Sequence, residues 1–141
     1  MGTLRRPPTS RPSCLGILLG ALALSGCQAE TPKPDPLGTR IPVGTSELYY
    51  SADIQPADAK HVADVLAREK YLGDAPCSAH IRLVNRRYEL RLVLRPGAGN
   101  KDLSTSLRAL GDAVAQGVFR GSPVDTHLCD ADFKTLKVVP H

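Results

Sequence analysis

The stretch AHIRLVNRRYELRLVLR, residues 79–95, decides the fold. Apolar and polar residues alternate on both sides of Asn85-Arg86, which is the pattern of two strands joined as an antiparallel hairpin. Because side chains alternate across a strand, one face of the hairpin is apolar and is predicted to cover a core. The residues predicted on this face are Ile81, Leu83, Tyr88, Leu90, Leu92 and Leu94.

A helix is predicted on each side of the hairpin. The first begins near Pro56, has Asp58 in its first turn and ends before Gly73. The second runs from about Leu103 to Val118, after Pro96-Gly97 has stopped the strand. Apolar residues recur at helical spacing in both segments, as Ala59, Val62, Ala63 and Leu66, and as Leu103, Leu107, Leu110, Val114 and Val118.

Three further stretches read as strands: SELYYS at 46–51, SPVDTHL at 122–128 and FKTLKVV at 133–139. The resulting order is strand, helix, strand, strand, helix, strand, with one additional strand. This order predicts an α+β fold, a βαββαβ(β) ferredoxin-like two-layer sandwich with an antiparallel sheet and two helices on one face.

The polar face of the hairpin is rich in cationic side chains. In the predicted arrangement this face carries His80, Arg82, Arg87, Arg91 and Arg95. One interpretation is a docking surface for an anionic envelope component, such as a glycan or lipid head group, or for an acidic protein partner. The other is a solvated sheet face that charge keeps soluble.

The amino terminus reads as an export signal. Its first 13 residues carry three arginines and no acid, and the run CLGILLGALAL at 14–24 is about 11 apolar or small residues long. A membrane-spanning helix needs about 20 apolar residues, so this run is too short to span. Directly after it stands Leu24-Ser25-Gly26-Cys27.

This arrangement resembles bacterial lipoprotein precursors, whose lipobox is an aliphatic residue, two small residues and a cysteine. The resemblance implies cleavage before Cys27, a diacylglycerol on its sulfur and an acyl group on its amine, with no other cofactor. Gln28 after the cysteine resembles the outer-membrane sorting pattern, so the expected location is the outer membrane, facing the periplasm. The alternative is a plain secreted protein cut near Gly26 or Ala29.

The predicted organisation is a signal peptide at 1–26, a lipidated Pro-rich tether at 27–46 and a small domain at 47–141. The whole chain has 18 basic and 14 acidic residues, a net charge of +4. Removing the signal leaves 15 basic and 14 acidic residues, a net charge of +1. The mature chain therefore gives no charge argument for a nucleic-acid partner.

Cys77 and Cys129 are candidates for a disulfide, because an oxidising compartment favours one in a small domain. The ferredoxin-like order opposes it: that order places the two strands about 14 Å apart, whereas a disulfide needs Cα atoms within about 7 Å. The pairing therefore stays open.

The end of the fourth predicted strand gathers polar groups that could serve chemistry, namely Asp125, His127, Cys129 and Asp130. Two or three ligands from one short stretch do not close a zinc site, and no nucleophile elbow or phosphate loop is present in the sequence. We therefore expect a non-enzymatic envelope binding or assembly domain without a metal. A small envelope enzyme or enzyme inhibitor that uses this strand end, and a structural spacer, are the alternatives.

Overall fold

The structure is a computed structural model and describes residues 35–95, 97 and 103–141. The signal peptide, Cys27 with its lipobox and the first part of the tether lie outside the described residues. Eight elements follow one another in this part of the chain: β1 (Thr39–Val43), β2 (Ser46–Tyr50), α1 (Pro56–Arg68), β3 (Ser78–Val84), β4 (Arg87–Val93), α2 (Ser104–Gly117), β5 (Val124–Cys129) and β6 (Thr135–Val139).

The predicted hairpin forms the centre of the sheet. β3 and β4 pair antiparallel, with Ile81 opposite Leu90 and Ala79 opposite Leu92. All four of these side chains are fully buried. Asn85 and Arg86 make the turn at φ values of 51° and 65°, the left-handed conformation that a two-residue hairpin turn requires.

The six strands lie side by side in the order in which they occur in the chain. The hairpin pairs β1/β2, β3/β4 and β5/β6 are antiparallel. The two pairs that a helix connects, β2/β3 and β4/β5, are parallel. The sheet is therefore mixed.

The α+β class with two helices is confirmed, whereas the ferredoxin-like order and an antiparallel sheet are not. In the ferredoxin-like plan each helix connects strands that leave room for a third strand between them. Here each helix connects two strands that are neighbours in the sheet, because the most apolar strands, β3 and β4, lie together at its centre.

The two helices, α1 and α2, form one layer on one face of the sheet and enclose the core. The predicted apolar residues of α1 are buried, as are Leu107 and Val114 of α2. Gly111 of α2 lies so close to β5 that a Cβ at this position would meet the Thr126 hydroxyl at 2.5 Å. The absence of a side chain at Gly111 thus sets the distance between α2 and the sheet. None of the helices in the described part of the chain has the length and hydropathy needed to cross a bilayer.

Part of the predicted tether belongs to the sheet. Residues 39–43 form the edge strand β1, where Ile41 and Val43 are packed against the core. Pro42 is tolerated in this strand because an edge strand has one side without ladder hydrogen bonds. The sequence interpretation gave most weight to the prolines of this segment and missed the alternation around them.

Candidate functional site

The helix-free sheet face carries three of the predicted basic residues, Arg82, Arg87 and Arg91, in a series of ion pairs. Arg82 of β3 lies 2.6 Å from the carboxylate of Glu89 on β4. Arg87 donates two hydrogen bonds, of 2.7 and 2.8 Å, to Asp125 on β5. This bond from Arg87 is the main reason that the pKa of Asp125 is lowered. The arginines of this face are therefore largely neutralised by neighbouring strands.

The turn between β5 and β6 folds back over the same face. The ring of Phe133 contacts Tyr49 and His80 edge-on, at centroid distances of 6.3 and 6.0 Å. The Arg91 guanidinium donates to the Phe133 carbonyl oxygen and lies 3.8 Å from Glu89. A surface that alternation predicts to be open is thus partly covered by an aromatic side chain.

His80 lies beneath this cover. It is 5% exposed, and neither of its ring nitrogens has a hydrogen-bond partner among the described residues. Burial, with help from the nearby Arg82 and Arg91, lowers the pKa of His80 to about 4. The imidazole is therefore neutral near pH 7 and contributes no positive charge to the face.

Arg95 does not share the sheet face with the other arginines. It follows the end of β4, where Leu94 still donates to the Cys129 carbonyl oxygen and the chain then leaves the sheet. Its guanidinium lies over the Tyr71 ring, 5.1 Å from the centroid. It also donates to the main-chain oxygens of Lys70 and Tyr71, which follow α1.

The four polar residues predicted for this strand lie along β5 and just after it, and each has a structural partner. Asp125 binds Arg87, His127 lies 3.4 Å from the Thr135 hydroxyl, and Asp130 accepts hydrogen bonds from two amides of its own turn. Cys129 is fully buried, and this burial raises its pKa, the opposite of what a nucleophilic thiol needs. The described residues contain no group of three or more His, Cys, Asp or Glu side chains arranged to hold a metal.

Cys77 and Cys129 are buried free thiols in the structure. The Cys77 sulfur lies 3.7 Å from the Val93 carbonyl oxygen, and the Cys129 sulfur lies 3.7 Å from the His127 carbonyl oxygen. Cys129 pairs with Val93, so strand β4 runs between the two cysteines. Two strand spacings amount to about 10 Å, more than a disulfide spans. The pairing of Cys77 with Cys129, which the sequence leaves open, is not formed in the structure.

A cavity of about 420 Å³ lies at the carboxyl end of β4, bordered by the end of α1 and the first half of α2. Its wall is largely apolar and includes Leu94, Leu103, Leu107, Leu110 and Leu128. Charged side chains on the border are Lys70, Arg95 and Glu69. This volume is within the range of small-molecule sites, which combine an apolar wall with a few polar groups.

No protein-family model, curated protein or solved structure matches this chain. The geometry of the described residues therefore carries the functional argument.

Sequence reasoning missed the cavity because its wall comes from four separate elements. Leu94 and Leu107 were assigned to the core by periodicity, and Arg95 to the sheet face by alternation. One signal was available: Pro96-Gly97 ends the strand directly after Arg95, so alternation was a poor guide to the direction of that side chain.

Proposed function

We propose that this chain is a lipid-anchored envelope protein whose folded domain is a non-enzymatic binding module for an anionic envelope component. Cys27 would carry the anchor, with the diacylglycerol on its sulfur and an acyl chain on its amine. The residues after it would hold the domain near the membrane, on the periplasmic side of the outer membrane. Two or three acyl chains give effectively lasting attachment.

The observation that carries the binding role is the cavity at the end of β4. It is apolar over most of its wall, and the described residues of its border include two cations, Lys70 and Arg95, and one carboxylate, Glu69. The arginines of the sheet face support the role less well, since Arg82 and Arg87 already have carboxylate partners. Among the described residues, Arg95 donates to main-chain oxygens and pairs with no acid, so its charge is available to an anion.

The anchor is tested by expressing the full precursor in a double-membrane bacterium and measuring the intact mass of the membrane-extracted protein. We expect loss of residues 1–26 and added acyl mass at Cys27. Cys27→Ala should abolish both, whereas Cys14→Ala, which removes the other cysteine of the precursor's amino-terminal region, should behave like the unsubstituted chain. An N-terminal peptide of unmodified mass would reject the anchor.

The binding role is tested by comparing what co-purifies with the unsubstituted protein and with Ala109→Trp. Ala109 lines the cavity and is exposed, so a large ring there would fill the entrance without disturbing the core. We expect an anionic component with the unsubstituted chain that is depleted from the variant. Equal recovery of the anionic component with both chains would show that it does not bind in the cavity.

A further inference from the structure

We propose that the cavity at the end of β4 binds a single-chain amphiphile, with its anionic head group on Arg95 and its hydrocarbon chain among the leucines. A carboxylate or phosphate head on one acyl chain is the chemistry of a fatty acid or a lysophospholipid. This inference rests on the proposed function, because it specifies the chemical class of that ligand.

The first observation is the unused hydrogen-bonding capacity of Arg95. One terminal nitrogen of its guanidinium donates to the Lys70 and Tyr71 carbonyl oxygens. Its Nε is buried and has no hydrogen-bond partner among the described residues. A buried guanidinium N–H without an acceptor is costly, and a carboxylate or phosphate oxygen is the acceptor that it binds most strongly.

The second observation is that the orientation of Arg95 is fixed without a ligand. The ring of Tyr71 lies under the guanidinium at 5.1 Å. The Tyr71 hydroxyl donates a 2.6 Å hydrogen bond to the Val93 carbonyl oxygen, which locks the ring against the end of β4. The guanidinium group of Arg95 is therefore held in position before an anion binds, which reduces the conformational entropy lost on binding.

The third observation is the position of α2. The amino-terminal end of α2 borders the cavity through its N-cap residue, Leu103, and through Ser106, and the first turn of the helix contains no acidic residue. The positive end of the helix dipole thus lies beside the same cavity and adds to the attraction for an anion. Lys70 reinforces this attraction, whereas Glu69 opposes it.

The apolar wall of the cavity determines the chemistry of the part of the ligand that lies beyond the head group. Five leucines and Val93 line the cavity, together with Ala109. Phosphate, a sugar acid or another small hydrophilic anion would leave this apolar surface unfilled. A hydrocarbon chain fills it and gains about 25 cal/mol for each Å² of apolar surface removed from water. The ligand must therefore be both anionic and apolar.

The experiment is a calorimetric titration of the mature chain carrying Cys27→Ser, which is prepared without detergent because detergent would compete for the cavity. The probes are decanoate, decanol as its uncharged match, acetate as its chainless match, and decanoyl lysophosphatidic acid. We expect one saturable site for decanoate, at least tenfold weaker binding of decanol, and none of acetate. Comparison of decanoate with the lysophosphatidic acid distinguishes a fatty acid from a phospholipid as the source of the head group.

Variants locate the site. Arg95→Met should weaken decanoate binding about tenfold and leave decanol within twofold, because it removes the charge-assisted hydrogen bond and keeps the apolar wall. Arg108→Met is the matched control: Arg108 is an exposed cation on α2 that does not line the cavity, so binding should not change. Ala109→Trp should abolish the binding of all three chain-bearing probes.

Three results would overturn the inference: no saturable binding of any amphiphile, equal affinity for decanoate and decanol, or equal effects of Arg95→Met and Arg108→Met. If Arg95→Met does not fold, Arg95→Lys and the comparison of probes on the parent chain decide the same question. A titration that shows no binding would not bear on the proposal that Cys27 carries a lipid anchor. An unmodified Cys27 would reject the anchor but would not change how the titration is interpreted.

Discussion

At the scale of the residue, the polar face of the sheet shows how burial overrides charge patterning. His80 lies on the face that alternation marks as solvated, yet the Phe133 ring packs edge-on against it, and neither imidazole nitrogen has a partner among the described residues. Its surroundings include the cations Arg82 and Arg91 and the anions Glu89 and Asp35, with Tyr49 opposite it on β2. The neutral form is therefore favoured.

We predict that His80 makes the domain sensitive to acid. The unfolded chain titrates this histidine at about 6.5, whereas burial lowers the folded pKa to about 4. As the pH falls between these values, the unfolded chain takes up a proton that the folded chain refuses, so the free energy of unfolding falls. His80→Phe should retain stability near pH 7 and flatten this loss, measured by urea denaturation at successive pH values.

The difference between the two pH curves isolates His80, because His127, whose pKa burial also lowers, contributes equally to both. Asp125 contributes at lower pH through its bond to Arg87. Parallel curves for the parent chain and His80→Phe would show that His80 is not the group responsible.

A second prediction concerns Gly111 and Gly117 on the same helix. A Cβ at Gly111 would meet the Thr126 hydroxyl at 2.5 Å, whereas one at Gly117 would meet a Val65 methyl at an ordinary 3.4 Å. Gly111→Ala should therefore cost about 1–3 kcal/mol of unfolding free energy by overpacking. Gly117→Ala, the matched control, should be neutral or stabilise by up to about 1 kcal/mol. Denaturant unfolding measures both, and equal effects would contradict the close approach of α2 to β5.

At the scale of the element, the β5–β6 turn is held by its own hydrogen bonds. The Asp130 carboxylate accepts from the amides of Asp132 and Lys134, at 3.0 and 2.8 Å. The main chain closes the turn with a 3.0 Å bond from the Asp130 amide to the Lys134 carbonyl oxygen. This closure carries Phe133, at a φ of 58°, onto the sheet.

We predict that the Asp130 side chain is the principal support of this turn. Asp130→Ala removes the Oδ1 oxygen that accepts both hydrogen bonds and should lower the unfolding free energy by about 1–2 kcal/mol. It should also speed hydrogen exchange of the Phe133 amide, which donates to the Asp130 carbonyl oxygen. Asp130→Asn keeps an acceptor oxygen and should stay close to the parent chain. Identical exchange in all three proteins would show that the turn does not depend on this side chain.

The elements themselves were largely predictable from sequence, while their arrangement was not. Alternation identifies the strand and its buried face, and helical spacing identifies α1 and α2, because both signals are local. The strand beside a given strand is not encoded in alternation, so the order of the sheet was missed. The partners of Arg87 and Arg91 depend on that order and on the β5–β6 turn, and were therefore beyond reach as well.

At the scale of the whole molecule, the order of the strands governs what the two cysteines can do. Strand β4 separates Cys77 from Cys129, and both thiols are buried. Their distance follows from the global arrangement and not from either local environment. Thiol chemistry therefore reports on the strand order.

We predict that both thiols resist alkylation in the folded protein and that both react in denaturant without a reductant. The measurement is the mass of the mature chain carrying Cys27→Ser after each treatment. Two additions without a reductant agree with the strand order, because about 10 Å exceeds the reach of a disulfide. Additions that require prior reduction would establish the pairing that the sequence suggests and would conflict with this sheet.

A sheet whose strands are neighbours in chain order has a consequence for the export that we propose. A protein that crosses a membrane amino terminus first delivers its strands one after another, beginning with β1. In a ferredoxin-like sheet an early strand waits for a later one before it gains its partner. If this chain is exported as proposed, each emerging strand would meet a neighbour that has already arrived, so the sheet could grow at the pace of translocation.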